Sequence, residues 1–595
     1  METKERLARL RAEMEAAGAA GCLIPSSDPH ASEYLPDHWA ARRYFSGFTG
    51  SVGTLAVTMN GAALWVDGRY FVQAEHQLEG SGIELQRMGL PGVPTVEEYL
   101  CRALCKGDVL AVDGAVTPTA QVRRLQKALE KQGVQVQDID LPGCCWPDRP
   151  PMPATPCFVL GRELAGLTAS EKLAKLREAL DKEKADGMLL GRLDSVAWLL
   201  NLRAYDLDCT PFALAWCWVD RGRAVVFLDS SRADETVRGY LAENGVELQE
   251  YDQVEEFLAH VQAPLVLRAE PESLNWRFWR LLEANSAVTV QEGADPVQEL
   301  KAVKNETEIA CIRASHKKDG VAMVRFEREL ERRRAAGETL YESDVENILI
   351  ECRRKGEGYL EESFSAIAAC GANAAMMHYH AEPGACSPLA DHGFLLVDCG
   401  GQYMDGTTDI TRTYALGELT DAEKRMYTLV LKGHIDLAML VFPMGSTGGN
   451  LDLAARRPLW AEGLDYRCGT GHGVGFVGGV HETPPRLNQA DRKAITPGMV
   501  VTDEPGYYET DVMGIRIENE LICVSRMRTE YGEFCGFEPL TRCPIGREAI
   551  LPDMLTREEL AWLNAYHQTV LEDLSPLLDE EERAWLADRC RPIEG

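Results

Sequence analysis

No stretch of this 595-residue sequence is apolar for long enough to cross a bilayer as a helix. That absence argues against a membrane partner. The opening METKERLARLRAEMEAAGAAG has helical spacing and mixed charges but lacks the apolar core of a secretory signal. Paired cysteines are missing as well: the 18 cysteines show no CxxC spacing, and only Cys144 and Cys145 are adjacent. In a large chain this reads as reduced thiols and a cytoplasmic setting. Basic charge is scarce, with 62 Lys and Arg against 93 Asp and Glu and a net charge of −31. Nucleic acid is therefore disfavoured as a partner, because displacing phosphate counterions needs a basic surface. Gly473, Gly475 and Gly478 satisfy GxGxxG, but no buried strand precedes them and no suitable helix follows. A dinucleotide site is rejected on that ground.

What is present is an ordinary globular composition, 45% hydrophobic and 26% charged, in a chain too long for one core. Its informative part is the C-terminal half. In FLLVDCGGQYMDGTTDITRTY, Phe394–Tyr414, an apolar strand ends on Asp398, glycines and an Asp-Gly turn reverse the chain, and Asp409 opens the returning strand. Three similar segments follow: GTGHGVG centred on His472, VVTDEPGYY delivering Glu504 before a Pro-Gly turn, and GIRIENELICV, Gly514–Val524. Period-two alternation in the last puts Ile515 and Ile517 on one face, with Arg516 and Glu518 on the other.

Each Asp or Glu alone would read as a turn or strand-end residue. Together, four acids and one imidazole at buried strand ends cannot all stay charged and unpaired, since burying one bare carboxylate costs roughly several kcal/mol. Two divalent cations would offset the four charges and leave His472 as a neutral ligand. Oxygen-rich ligation with one nitrogen suits Mn²⁺, Co²⁺ or Zn²⁺. These features point to a two-metal hydrolase.

The order Asp, Asp, His, Glu, Glu, set in DGTTDITRT, GTGHGVG, EPGYY and GIRIEN, resembles the metallopeptidases with a pita-bread fold. Within them the chain resembles the long, three-domain cytosolic form of the Xaa-Pro aminopeptidases (aminopeptidase P). SSDPHASEYLPDHW, FSGFTGSVGTLAV, LWVDGRYFVQAE, LDSVAWLLNLRAYD, KGHIDLAMLVFP and the C-terminal FEPLT and WLNAYH extend the likeness over nearly the whole chain. The resemblance implies an α/β (α+β) chain of two related creatinase-like domains, 1–145 and 157–297, then a catalytic pita-bread domain, 298–550, and a helical extension, 551–595. It implies two bound divalent ions, Mn²⁺ first among them, held by Asp398, Asp409, His472, Glu504 and Glu518, with Asp409 and Glu518 bridging. It further implies hydrolysis of the N-terminal Xaa-Pro bond of peptides with proline second, by a hydroxide shared between the ions. Glu504 is the expected general base. His378 and His481 fall at the family's catalytic and substrate-binding histidines, able to donate to an oxyanion or a leaving nitrogen. Arg516 is expected beside the carboxylates and the substrate, compensating charge. A homodimer through the catalytic domain is implied too.

The residues also show departures. Cys468 stands where the family usually has a histidine, four residues before His472, which leaves the metal chemistry intact and bears on proline preference. His380 and Glu520 have no ligand counterpart, and Glu520 is expected at the surface or behind the ligands. A prolidase-type dipeptidase has similar ligands but takes dipeptides. A creatinase-like amidinohydrolase uses the fold without metal. A binding protein that reused the fold should show a broken ligand set, and none is broken here.

Along the chain the spacing predicts a helix at 3–17, a strand Gly21–Pro25, a hairpin in Val57–Val66 and a helix Thr117–Gln132 capped by Thr117. Proline-dense Leu141–Pro156 reads as a linker. A helix Ser170–Ala185, a strand Gly187–Leu190 and a hairpin turning at Arg221-Gly222 then repeat the first plan, suggesting an internal duplication. Helices at 305–334, 340–354, Thr420–Phe442, and from the Thr556–Glu559 capping box complete the reading, with a last helix around Glu580–Asp588.

Overall fold

The computed structural model describes residues 2–262 and 264–594. Two compact units divide the chain: Met1–Gly161 with Leu167–Val297, and Arg162–Gly166 with Gln298–Gly595. Among the described residues no helix is long and apolar enough to cross a membrane.

The first unit uses one topology twice. Strands β1 (Gly21–Pro25), β2 (Thr54–Thr58), β3 (Ala62–Val66), β4 (Glu84–Arg87), β5 (Val109–Val112) and β6 (Gln135–Asp138) form a sheet in the order 4-3-2-1-5-6. Strands β7 (Gly187–Leu190), β8 (Trp216–Asp220), β9 (Ala224–Phe227), β10 (Glu247–Gln249), β11 (Leu265–Ala269) and β12 (Val288–Glu292) form another, in the order 10-9-8-7-11-12. In both sheets the first three strands pair antiparallel and the remaining pairs are parallel. Central strands such as β3 and β7 are buried along their whole length, as expected when both faces of a sheet are covered. The duplication suggested by the sequence is thus a repeated fold.

Two local expectations fail here. Helix α1 (Thr3–Ala16) is as predicted, but α2 (Thr119–Leu129) starts two residues late, with Pro118 at its N-cap. The Thr117 hydroxyl donates to the Asp113 carbonyl (2.7 Å) instead of capping the helix. The proline-dense linker opens with a short helix, α3 (Leu141–Cys145), because Asp140 accepts from the Gly143 amide and Pro142 sits in the first turn, where its missing N–H costs nothing. Helix α4 (Ala169–Lys182) follows, opened by a Thr168–Glu171 capping box.

In the second unit the long helix α5 (Glu306–Ala335) starts at an Asn305–Glu308 capping box, and α6 (Glu342–Arg353) follows. Strands β13 (Ile367–Cys370), β14 (Phe394–Cys399) and β15 (Ile410–Ala415) make an antiparallel sheet with β14 in the middle. Helix α7 (Asp421–Ala438) is shorter than predicted, because its last residues turn into an edge strand, β16 (Val441–Pro443). Strands β17 (Gly471–Gly473), β18 (Glu482–Leu487) and β19 (Val500–Asp503) come next. A small hairpin, β20 (Gly506–Glu509) with β21 (Met513–Arg516), precedes the long pair β22 (Asn519–Thr529) and β23 (Gly532–Pro539). A six-stranded sheet runs β16-β23-β22-β19-β17-β18.

GIRIENELICV is therefore not one strand. It breaks at Ile517-Glu518, where the Glu518 amide donates to the Thr411 carbonyl (3.1 Å) of β15 and the chain passes from one sheet to another. The alternation survives the break. Ile515 and Ile517 join Val430, Leu431 and Ile435 of α7 in a core completed by Leu563 and Val570 of α8 (Arg557–Leu574) and Leu586 of α9 (Glu580–Arg589). The C-terminal helices are thus part of the core behind the acid-bearing strands.

Candidate metal centre

Each acid stands where a strand ends or turns, so its position is set by sheet pairing. Asp398 is next to last in β14 and pairs across to Thr411, while Asp409 immediately precedes β15. His472 is the middle residue of β17, whose neighbour β19 delivers Glu504 one residue past its end. The Glu504 amide donates to the Thr470 carbonyl (2.8 Å), which draws these two segments together. Only glycine fits at 471: a Cβ there would lie 2.0 Å from the Thr502 carbonyl oxygen. Glu518 sits at the break between β21 and β22.

These placements bring together side chains that are far apart in sequence. His472 Nε2 lies 3.5 Å from Asp409 Oδ2 and 3.4 Å from Glu504 Oε1. Donor atoms of Asp409, His472 and Glu518 all fall within 4.8 Å of one another. Asp398 accepts from the Arg516 guanidinium, which also donates to the Tyr508 hydroxyl (2.7 Å) and the Thr411 hydroxyl (3.2 Å). Thr411 donates to Glu518 Oε2 (2.6 Å), and Thr502 to Glu504 Oε1 (3.2 Å). Arg516 is buried and in contact with Asp398.

Electrostatically the cluster is strained. Burial, followed by Glu518, Asp398 and Glu504, pushes the Asp409 carboxyl well above the usual carboxylate range. Burial, followed by Glu504 and Asp398, does the same to Glu518. Burial raises Glu504 to about 7, with Arg516 opposing the rise and Asp398 adding to it. Although burial works against the Arg516 charge, Tyr508, Asp398 and Glu504 hold its pKa well above normal. Four carboxylates thus share one arginine in a largely buried site, with His472 and Glu504 at its partly exposed edge.

The donor set fits divalent cations. His472 Nδ1 is 2.9 Å from the Gly473 carbonyl, which makes Nδ1 the protonated nitrogen and turns the Nε2 lone pair toward Asp409 and Glu504. A lone pair facing carboxylate oxygens is repulsive unless a cation lies between them. Asp398 Oδ1 is buried and accepts no hydrogen bond among the described residues. Oxygen-rich donors with one imidazole suit Mn²⁺, Co²⁺ or Zn²⁺ alike.

The outlying histidines differ. His481 is exposed, and its ring stands edge-on to His472, 4.4 Å between centroids and 89° between planes. His378 is half-buried on the loop after β13, and His380 is exposed on the same loop. Ala374 of that loop packs its carbonyl against Gly514 of β21, where a Cβ would come within 1.7 Å. Cys468 is half-buried in a cluster with Tyr466 and Tyr508, its thiol pushed up to about 12 by burial, with Glu504 adding. Of the two places expected for Glu520, the surface is excluded: it is fully buried, 3.3 Å from His316 Nε2, on β22, a strand flanked on both edges.

Sequence reasoning missed several supports. Thr411 and Thr502 each stand two residues from a metal-site acid, so strand periodicity alone could have put their hydroxyls on the same face. Asp503 is buried beside His434, 3.1 Å from its Nδ1, and fixes α7 to the Glu504 segment. Glu482, next to His481, is gripped by two buried lysines, Lys301 at 2.9 Å and Lys304. Arg412 donates to the Glu518 carbonyl (2.6 Å), Asn519 Oδ1 (2.8 Å) and the Tyr566 hydroxyl (3.0 Å), tying α8 to the Glu518 turn. No local sequence pattern marks these long-range pairs.

Known proteins give the same picture. The family described as "Metallopeptidase family M24" matches residues 310–525, and its C-terminal region matches 533–593. "Creatinase/Prolidase N-terminal domain" matches twice, at 6–142 and 148–308. A probable Xaa-Pro aminopeptidase P of Metarhizium acridum is 38% identical over 620 residues, covering all of both chains. Its counterpart in Metarhizium robertsii is 39% identical, also over the full length of both. Among solved structures, X-prolyl aminopeptidase of Caenorhabditis elegans superposes with a TM-score of 0.94 at 34% identity, covering 100% of both chains. It is described as a cytosolic enzyme with a di-nuclear active site. A Xaa-Pro dipeptidase from Bacillus anthracis, 26% identical with a TM-score of 0.51, covers 64% of this chain and 99% of its own. Two creatinase-like α/β domains followed by a pita-bread catalytic domain make this chain a metalloexopeptidase, and it belongs to the Xaa-Pro aminopeptidases of metallopeptidase family M24.

Proposed function

We propose that the chain removes one N-terminal residue from peptides with proline in second position, using two divalent ions held by Asp398, Asp409, His472, Glu504 and Glu518. One observation carries this reading: carboxylates from separate strands converge on the Nε2 face of His472 with a single arginine to balance them. When bound, such ions would lower the pKa of a water toward neutrality and polarise the scissile carbonyl; manganese is the species we expect.

The chain's own residues supply the rest. Glu504, steadied by the Thr502 hydroxyl, takes the proton from the attacking water. His481, beside His472, and His378 donate hydrogen bonds to the carbonyl oxygen or a proton to the leaving nitrogen. Arg516 holds Asp398 and Thr411 in place and keeps one positive charge at the substrate's edge of the site. Proline explains the need for a dedicated enzyme: its nitrogen carries no N–H and its ring fixes φ, so peptidases that grip that N–H fail on it. We assign the domains as 1–145, 157–297, 298–550 and 551–595, and expect a cytoplasmic homodimer that joins through the catalytic domain.

The deciding experiment assays manganese-reconstituted protein on a tripeptide Xaa-Pro-Yaa and on the dipeptide Xaa-Pro, with Glu504→Ala as control. Release of Xaa from the tripeptide is expected, with a loss of about 100-fold or more in Glu504→Ala. Cleavage of the dipeptide alone would make it a prolidase. No bound metal and no turnover after reconstitution would make it a binding protein.

A further inference from the structure

Glu342 is one of the buried carboxylates that the roles above leave unused. Glu342, the first residue of α6, is fully buried. Its Oε1 accepts from the Cys370 amide (2.8 Å) and Asn373 Nδ2 (3.1 Å). Its Oε2 accepts from Asn373 Nδ2 (3.0 Å), the Tyr379 hydroxyl (2.8 Å) and the Ser387 amide (2.9 Å). All these donors are neutral, and all come from one stretch of chain, 370–387. Apart from a short turn of 3₁₀ helix at Gly371–Ala375, that stretch has no regular structure past Cys370. It is the loop that carries His378.

A buried carboxylate served only by neutral donors is costly, roughly several kcal/mol before its hydrogen bonds are counted. The N-terminus of α6 recovers part of that through its dipole. Five bonds, four from amide groups and one from a hydroxyl, recover more, since bonds to a charged acceptor are about twice as strong as neutral ones. An apolar side chain at 342 could fill the space, but it could not gather the beginning, the middle and the end of the loop on one point. The Glu342 amide adds to this by donating to the Ser387 carbonyl (3.0 Å). The loop's other side rests on the metal-site strands: Ala374 abuts Gly514, two residues before Arg516. Burial, followed by the hydrogen bond to Glu342, raises the Tyr379 phenol and keeps it a donor.

We propose that Glu342 is a positioning residue for His378, its carboxylate fixing the 370–387 loop so that the imidazole stands at one place relative to the acid-bearing strands. This rests on the reading of His378 as a donor to the substrate. A double-mutant cycle on the manganese-reconstituted protein tests it, with the wild type, Glu342→Gln, His378→Ala and the double variant assayed on Xaa-Pro-Yaa and their metal content measured. Gln keeps the volume at 342 but turns one acceptor into a donor, set against the Cys370 amide at one position or against Tyr379 and the Ser387 amide at the other. Glu342→Gln is expected to lower kcat about tenfold with KM and metal content little changed, equivalent to about 1.4 kcal/mol. In the His378→Ala background the same change should cost less than about twofold. Equal losses in both backgrounds, or none in either, overturn the proposal while leaving the role of His378 standing. Wild-type activity in His378→Ala removes the reading of His378, and the proposal with it. If Glu342→Gln does not fold, Tyr379→Phe, which deletes one bond to the same carboxylate, takes its place in the cycle.

Discussion

Glu327 lies on α5 with its carboxyl buried against β15, accepting from the Tyr414 hydroxyl (3.1 Å) and the Cys543 thiol (3.5 Å). Burial raises it from its ordinary 4.5 to about 7, with the Tyr414 and Cys543 hydrogen bonds opposing the rise. The folded state therefore binds a proton between these values that the unfolded chain has released. Stability must fall as pH rises through that window, the slope following the difference in bound protons. At 1.36 kcal/mol per pKa unit the loss amounts to about 3 kcal/mol once both ends are sampled. Replacing Glu327 by Gln, which is neutral at every pH, should abolish this contribution. We expect Glu327→Gln to gain about 3 kcal/mol on the wild type at pH 8.5 relative to its standing at pH 4.5. Amide exchange of α5 peptides, corrected for intrinsic rates at each pH, measures both proteins. Metal loss at low pH acts on both alike and cancels in the double difference. A stability difference between them that stays the same at both pH values would refute the reasoning.

Three further outcomes are expected. Arg516→Lys gives up the planar fork that reaches Asp398, Tyr508 and Thr411 together, so kcat/KM on Xaa-Pro-Yaa should fall at least tenfold, or about 1.4 kcal/mol, with folding intact; steady-state kinetics beside a melting curve check it. Gly514→Ala drives a Cβ to within 1.7 Å of the Ala374 carbonyl and must displace the His378 loop or β21, costing about 3 kcal/mol or more, visible in the urea midpoint and in lost turnover. Chelation should destabilise the second unit selectively, and adding manganese at about 1,000 times its dissociation constant should restore about 4 kcal/mol; exchange protection in β14, β19 and β22 is the readout, and unchanged protection would count against the metal centre.

The candidate metal-site residues stand out in the sequence because strand chemistry is local. Period-two alternation, Asp-Gly and Pro-Gly turns and short apolar runs mark where Asp398, Asp409, Glu504 and Glu518 stand on their own segments. The capping box at Thr556 was visible for the same reason, since the cap and the residue it bonds are three apart; the structure adds like boxes at Thr168, Asn305 and Thr420. Thr117 misled for the complementary reason: its hydroxyl found the Asp113 carbonyl, an equally local partner that a propensity rule does not weigh.

Other features depend on partners that spacing cannot name. The sequence leaves Glu520 at the surface or behind the ligands, and it is buried because β19 and β23 flank its strand and His316 meets it from α5. The break at Glu518 is set by Thr411, more than a hundred residues earlier. Glu342 reads in the sequence as a helix-opening acid, and only folding puts the loop bearing His378 around it. From the sequence alone one can tell which residue types stand at which strand ends, and hence why cations are expected there. Which acids face the same imidazole, and what holds the neighbouring histidines, is decided by contacts between distant segments, because charge and hydrogen bonding act through space and not along the chain.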